Sequence, residues 1–314
     1  MFQLDRRALV AYFLVCTVWG STYLFIRMGV EELPPLLFAG LRHLAAGLLL
    51  GTIVLARGLE RPKSWTELAW LASGGLFFFT FGNGGVVWAE QFVPSGVASV
   101  YVVSVVLWTV LADAIIPGGT SRITARVVAG LVAGTAGALL LVGASPRELL
   151  GADLRGPLVL TLASMAWAVG TVLMKRRRTG ASPFTVAALQ MLAGGGALTL
   201  AGLATGEAAA FHLTRTGAGA LVYLVLAGSL VGFGAYAYAL RHMSAPALGT
   251  YAYANPVVAV LLGWLFLAEP ITGRMLVAMA LMLGAAAIIQ FGGGMPRLGA
   301  TRAATVAAAP DARD

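Results

Sequence analysis

Apolar residues run along this chain in ten blocks of bilayer-spanning length, separated by short polar punctuation. The blocks cover 8–27, 35–56, 67–89, 95–116, 124–143, 156–175, 183–204, 217–240, 245–267 and 273–292. A helix needs roughly 20 mainly apolar residues to cross hydrocarbon, because every backbone N–H and C=O must find its partner inside the segment. The punctuation is Glu31-Glu32-Leu33-Pro34-Pro35, Arg61-Pro62-Lys63, Pro94, Pro117-Gly118-Gly119, Ser145-Pro146, Ser182-Pro183 and Glu269-Pro270, the residue types that end helices and open turns. The pattern predicts an all-α integral membrane protein with ten transmembrane helices. A Gly-, Ala- and Arg-rich tail, 293–314, is expected to be disordered.

The blocks repeat. At an offset of 148, Trp19 pairs with Trp167, Arg27 with Lys175, Pro35 with Pro183 and Gly47 with Gly195; at 150, Gly82 and Gly84 pair with Gly232 and Gly234. Ile123-Thr124 and Ile271-Thr272 restore the 148 offset. The division is 1–145 and 153–292, with five helices in each half. An odd number forces the second half to enter the membrane from the opposite side, which makes an inverted repeat. Such folds place a substrate site near the midplane between the halves and work by rocking between two arrangements. A duplicated gene without transport is the alternative.

Composition sharpens this. The chain is 59% hydrophobic and 11% charged, against about 45–50% and about 25% in soluble domains, which excludes a soluble globular protein. Glycine, 40 of 314 residues, sits inside the apolar blocks, where it lets helices approach closely. Gly130-xxx-Gly134 and Gly134-xxx-Ala138 permit such contact within one chain or between two, so a monomer and a homodimer both stand. The single Cys16 excludes a disulfide within the chain and a cysteine-based metal site.

The net charge of +8 lies in short loops and reads as membrane orientation, not as a nucleic-acid surface; the Lys175–Arg178 run is part of that signal. By loop, 15 Lys and Arg fall on the side of the N-terminus and 5 on the other, which predicts an inner-membrane protein with both termini cytoplasmic. Arg6 and Arg7 precede a first helix that is expected to be retained, because no small-residue cleavage pattern follows.

Several segments resemble the EamA-type branch of the drug/metabolite transporter superfamily, over nearly all of 8–292. They are Trp19-Gly20-Ser21-Thr22-Tyr23, Glu32-Leu33-Pro34-Pro35 leading to Leu41-Arg42, and Asn83 to Ser99. Tyr253-Ala254-Asn255-Pro256-Val257-Val258 to Trp264, and Glu269-Pro270-Ile271-Thr272, continue the likeness. The resemblance implies ten helices, a central cavity, and export of amino acids or other small metabolites without ATP hydrolysis. One departure is that Pro117-Gly118-Gly119-Thr120 stands where such proteins often carry Gly-Glu, leaving that carboxylate to Glu269 alone.

Polar groups within membrane helices are costly and become site candidates by default. Trp19, Thr22 and Tyr23 share one face of the first helix, and Trp167 and Thr171 one face of the sixth; cavity lining and packing are both open for the two tryptophans. Arg42 either snorkels to an interface or pairs with Glu31, Glu32 or a substrate carboxylate, while its repeat partner Gln190 is neutral. Asn83 is either an interhelical hydrogen bond or a cavity group. Glu90 is either solvated or, if buried, a proton carrier. Asp113 is expected to be solvated or paired with Arg122. Tyr101 and Trp108 share a face, as do Tyr251 and Asn255, and Pro256 predicts a kink exposing the Ala252 carbonyl. Ser229, Phe233 and Tyr236 form a further stripe, more in keeping with packing.

The sequence lacks HExxH, GxSxG and Walker A patterns, and its histidines, His43, His212 and His242, are scattered. No catalytic residue, metal site or cofactor is expected. The expected partners are a small-molecule substrate and the lipid bilayer. A non-transporting sensor or scaffold remains the alternative, and an intramembrane enzyme has least support.

Overall fold

The computed structural model describes residues 6–93, 95–117, 123–143, 153–177, 179–267 and 270–292, and every regular element in them is helical. The expected tail 293–314 lies outside the described residues, as do Glu269 and Arg122. α1 (Arg6–Glu32) and α2 (Pro35–Ala56) meet at Pro34-Pro35. Pro35 opens α2 at a position whose N–H would lack an intrahelical partner in any case. α3 (Trp65–Gly75) begins at Ser64, whose side chain accepts from the Glu67 N–H. It passes into a π-helical stretch (Leu76–Asn83) and returns as α4 (Gly84–Ala89). α5 (Ser95–Val103) and α6 (Val105–Ile115) are separated at Ser104, and α7 (Ala125–Val142) stops at Gly143, whose φ of +65° favours glycine.

The second half follows the same plan: α8 (Arg155–Arg176), α9 (Pro183–Ala204), a 3-10 turn (Glu207–Ala210) and α10 (Arg215–Tyr223). A second π-helical stretch (Leu224–Phe233) leads into α11 (Gly234–His242), and α12 (Ala245–Gly249), α13 (Tyr251–Leu267) and α14 (Gly273–Gly292) complete it. The two π stretches fall at equivalent places in the halves. Among the described residues, seven helices are long and apolar enough to cross a membrane, with shorter apolar helices at Val100–Ile115 and Gly273–Ile289. The third expected span is therefore continuous only through its π stretch, and the fourth breaks at Ser104. The ninth breaks at Thr250, while α13 continues as helix through Pro256. The interruption thus precedes the proline by more than one turn.

Glycine sets the closest approaches. A Cβ on Gly47 would meet Leu192 Cγ at 2.9 Å, and one on Gly195 would meet the Leu44 nitrogen at 2.7 Å. Gly40 lies beside Thr199 and Gly202 beside Leu37. In all four pairs the residue numbers move in opposite directions, so α2 and α9 run antiparallel along this seam. Gly47 with Leu192, and Gly195 with Leu44, are also each other's partners at the 148 offset. On α7, Gly130 packs on Ile289, Gly137 on Met282 and Gly134 on the Tyr253 ring. The small residues of α7 thus pack inside the chain.

The ends of the bundle differ. At one, Ser182 N donates to the Glu60 carbonyl at 3.0 Å, Arg241 to that of Ala181, and Arg176 to that of Pro117 at 2.6 Å. Lys63 and Arg177 also lie there, and it is called the basic end below. At the other, Leu37 N donates to Glu207 Oε2 at 2.8 Å and Arg27 pairs with Glu31 at 2.7 Å. Between the ends the outer surface is apolar, with Val10, Phe13, Leu48, Leu55 and Leu200 each more than half exposed.

Candidate functional site

The centre of the molecule is an aromatic cluster drawn from both halves. The Trp19 ring lies 5.5 Å from Trp167, 5.3 Å from Tyr236 and 5.0 Å from Tyr251, edge-on to the first and last. Phe78 lies 5.0 Å from Trp167, and Phe79 lies 4.6 Å from Phe233. The two tryptophans are seated alike. A Cβ on Gly82 would meet Trp167 Cε3 at 2.9 Å, and one on Gly232 would meet Trp19 Cδ1 at 2.8 Å. Both glycines belong to the π stretches, and Trp19 Nε1 donates to the Gly228 carbonyl in one of them at 2.9 Å. The indole thus adds a side-chain donor to a main-chain carbonyl of the π stretch.

Cavities lie on both sides of this cluster. The first contains about 740 Å³ of space, part of it open to the exterior, and is bordered by Trp19, Phe79, Trp167, Phe233 and Tyr251. Its polar lining is Thr22, Tyr23, Arg42, His43, Asn83, Ser164, Ser229 and Asn255. The second, at the basic end, contains about 1140 Å³, part of it open. Phe78, Phe233 and Tyr236 border it, with Lys175, Arg177, Thr179, Gln190 and Arg241 as its further polar groups.

Arg42 is 4% exposed, so it does not snorkel to an end of the bundle. Its Nε donates to Ser229 Oγ at 3.0 Å while Nη1 is buried without a partner. Among the described residues no carboxylate pairs with it. Glu31, one of the expected partners, is held by Arg27. Leaving a charged donor unsatisfied costs at least the 1–3 kcal/mol or so of a neutral one, which argues for a ligand or water at this place. Asn83 Oδ1 is within 3.0 Å of His43 Nε2, and the His43 ring packs 4.4 Å from Phe79. With its amide nitrogen turned toward them, Asn255 donates to the carbonyls of Tyr251 and Cys16, each at 3.1 Å. It also bonds the Tyr23 side chain. Thr22 turns its hydroxyl back onto the Trp19 carbonyl at 2.8 Å.

Of the residues singled out in the sequence, the first cavity gathers Trp19, Thr22, Tyr23, Arg42, Asn83, Trp167, Tyr251 and Asn255. Gln190 and Tyr236 border the other cavity, and Thr171 bonds the Tyr236 hydroxyl at 2.5 Å beneath the cluster. Tyr101 and Trp108 reach neither cavity. Tyr101 packs against the buried group of Ala89, Val93, Ala98 and Leu160, and Trp108 against the main core. Ser229, read as packing, is instead the partner of Arg42, and His43 was passed over although it follows Arg42 directly. Glu90 is 1% exposed with both carboxylate oxygens unpartnered, so the solvated reading fails. Asp113 is 6% exposed and lies 3.4 Å from Arg176, not in water. Among the described residues no His, Cys, Asp and Glu cluster forms a metal site.

Comparison with known proteins agrees with this architecture. The model of the EamA-like transporter family matches twice, over residues 6–143 and 154–291. The uncharacterized inner membrane transporter YedA of Escherichia coli (strain K12) is 37% identical over 254 residues, covering 81% of this chain and 80% of that protein. Protein PecM of Dickeya dadantii (strain 3937) is 28% identical over 285 residues, covering 89% and 91%. A crystal structure with 25% identity superposes with a TM-score of 0.73, covering 91% of this chain and 98% of that one. Two family matches that begin 148 residues apart, a relative named as an inner membrane transporter, and helices long enough to span a bilayer lead to one conclusion: the chain is a membrane protein that belongs to the EamA-like transporter family.

Proposed function

We propose that the protein is a secondary transporter of ten transmembrane helices in two inverted five-helix repeats, exporting amino acids or related amphipathic compounds by alternating access. The observation that carries this reading is the pair of cavities on opposite sides of one aromatic cluster, whose two tryptophans are repeat partners in equivalent glycine seats. A solute path closed by a pseudosymmetric barrier is what alternation between two faces requires. The roomier cavity is at the basic end, so this conformation faces the side that the positive-inside rule makes cytoplasmic, with both termini there, in the cell inner membrane.

The cavity chemistry supports the solute class. Aromatic rings offer apolar surface, Arg42 offers a cation to a carboxylate, and the hydroxyls and amides of Tyr23, Asn83 and Asn255 offer neutral hydrogen bonds. Highly charged solutes such as sugar phosphates would call for several converging cations.

Counterflow in proteoliposomes of the purified protein tests the reading. Saturable exchange of at least one labelled amino acid, absent from protein-free vesicles, is expected; no exchange of any amino acid or related amphipathic metabolite would overturn it.

A further inference from the structure

Arg42 and Gln190 occupy the same position in the two halves, 148 residues apart, and both are buried with an unpartnered nitrogen. Gln190 is 2% exposed and its Nε2 is buried with no hydrogen-bond partner, as Arg42 Nη1 is. Each lies against a bare glycine of a neighbouring helix in the other half. A Cβ on Gly228 would stand 2.9 Å from Arg42 Nη2, and one on Gly74 would stand 2.5 Å from Gln190 Nε2. Arg42 borders the cavity far from the basic end, and Gln190 borders the one at it.

We propose that Gln190 marks a second solute site, in the basic-end cavity, which receives the same carboxylate-bearing solute as the Arg42 cavity but through a neutral donor. The inference rests on the transporter reading and adds to it the functional group recognised on each side of the barrier. The Gln190 amide lacks a partner, and its nitrogen offers a donor to an acceptor on the ligand. The other polar groups of the cavity point the same way: Lys175, Arg177 and Arg241 border it and no Asp or Glu does. These cations are braced, Lys175 on the Leu240 carbonyl at 2.5 Å and Arg177 5.4 Å over the Trp70 ring. Glu67 and Glu60 lie within electrostatic reach of Arg177 and Arg241. The cations therefore set a mildly positive entrance, and close recognition falls to Gln190. Hydrogen bonds from a charged donor are roughly twice as strong as neutral ones, so the solute is held more loosely at the basic end than beside Arg42.

The test uses purified full-length protein and matched probes, L-amino acids and their carboxamides, with ligand-induced thermal stabilisation as the measure of binding. Wild-type protein is expected to favour carboxylate over carboxamide. Arg42→Gln should bind carboxylates at least tenfold more weakly yet keep a preference for them, and Gln190→Met or Gln190→Glu on that background should abolish it. In the otherwise wild-type chain, Gln190→Glu should weaken carboxylate binding more than Gln190→Met while sparing the carboxamides. Unchanged carboxylate binding in Gln190→Glu, or equal loss of both probe types, would overturn the proposal, as would a wild type without the preference. Carboxylate-selective binding without counterflow would instead count against transport and leave the site standing.

Discussion

The Arg42 guanidinium reaches across the interface between the halves and donates through Nε to Ser229 Oγ at 3.0 Å. One nitrogen thus anchors the group to the second half while Nη1 is left without a partner. Arg42→Gln is expected to lower counterflow at least tenfold, because the charged donor is removed. Ser229→Ala should lower it by less than tenfold, in line with the roughly 0.5–1.5 kcal/mol of a single hydrogen bond. Initial exchange rates at saturating and limiting solute separate the two effects.

Gly82→Ala and Gly232→Ala each place a methyl within 3 Å of a tryptophan ring of the barrier. Each is expected to destabilise the protein by about 1–3 kcal/mol, the usual cost of overpacking. Gly219→Ala, with nothing within 4 Å of the added atom, should be neutral or slightly stabilising. Melting temperatures in detergent check all three.

Trp19→Phe keeps a ring in the cluster and removes the hydrogen bond to the Gly228 carbonyl. The expected result is a looser barrier, seen as raised solute leak from preloaded vesicles with binding affinity changed by less than threefold.

Glu90, buried with both oxygens unpartnered near Arg27, is proposed as the proton carrier. Glu90→Gln should then retain exchange between equal solute pools and lose accumulation driven by a pH gradient. Equal pH-driven accumulation in variant and wild type would remove Glu90 from the mechanism.

Orientation is open to labelling, because Cys16 is the sole cysteine and is buried. On a Cys16→Ser background, Lys63→Cys should react with a membrane-impermeant maleimide only in inside-out vesicles, and Glu32→Cys only in right-side-out vesicles.

The all-helical membrane class and the duplication were legible in the sequence because apolar run length and repeated Trp, Pro and Gly positions are local signals. The cavity was legible where a regular α-helix carries the residues, as with Trp19, Thr22 and Tyr23 on α1. It was less so downstream of the π stretches, where the face predicted by i, i+4 spacing rotates. Asn83, at the end of one stretch, meets His43 in the cavity, whereas Glu90, seven residues on and so on the same face of a regular helix, is buried away from it. The break at Ser104 similarly separates Trp108 from the face it was expected to share with Tyr101. Gln190 and Tyr236 border the other cavity, and a linear pattern has no means of assigning residues to one cavity or the other.

The acceptor for Trp19 is a main-chain oxygen, not a side chain. On the proposed alternating-access reading, the latch between the two faces is therefore written into the backbone, while the groups proposed to meet the solute are side chains of the adjoining cavity. On that reading selectivity drifts by exchange of those side chains, and the latch persists as long as an indole stands at 19 and its glycine seat stays bare.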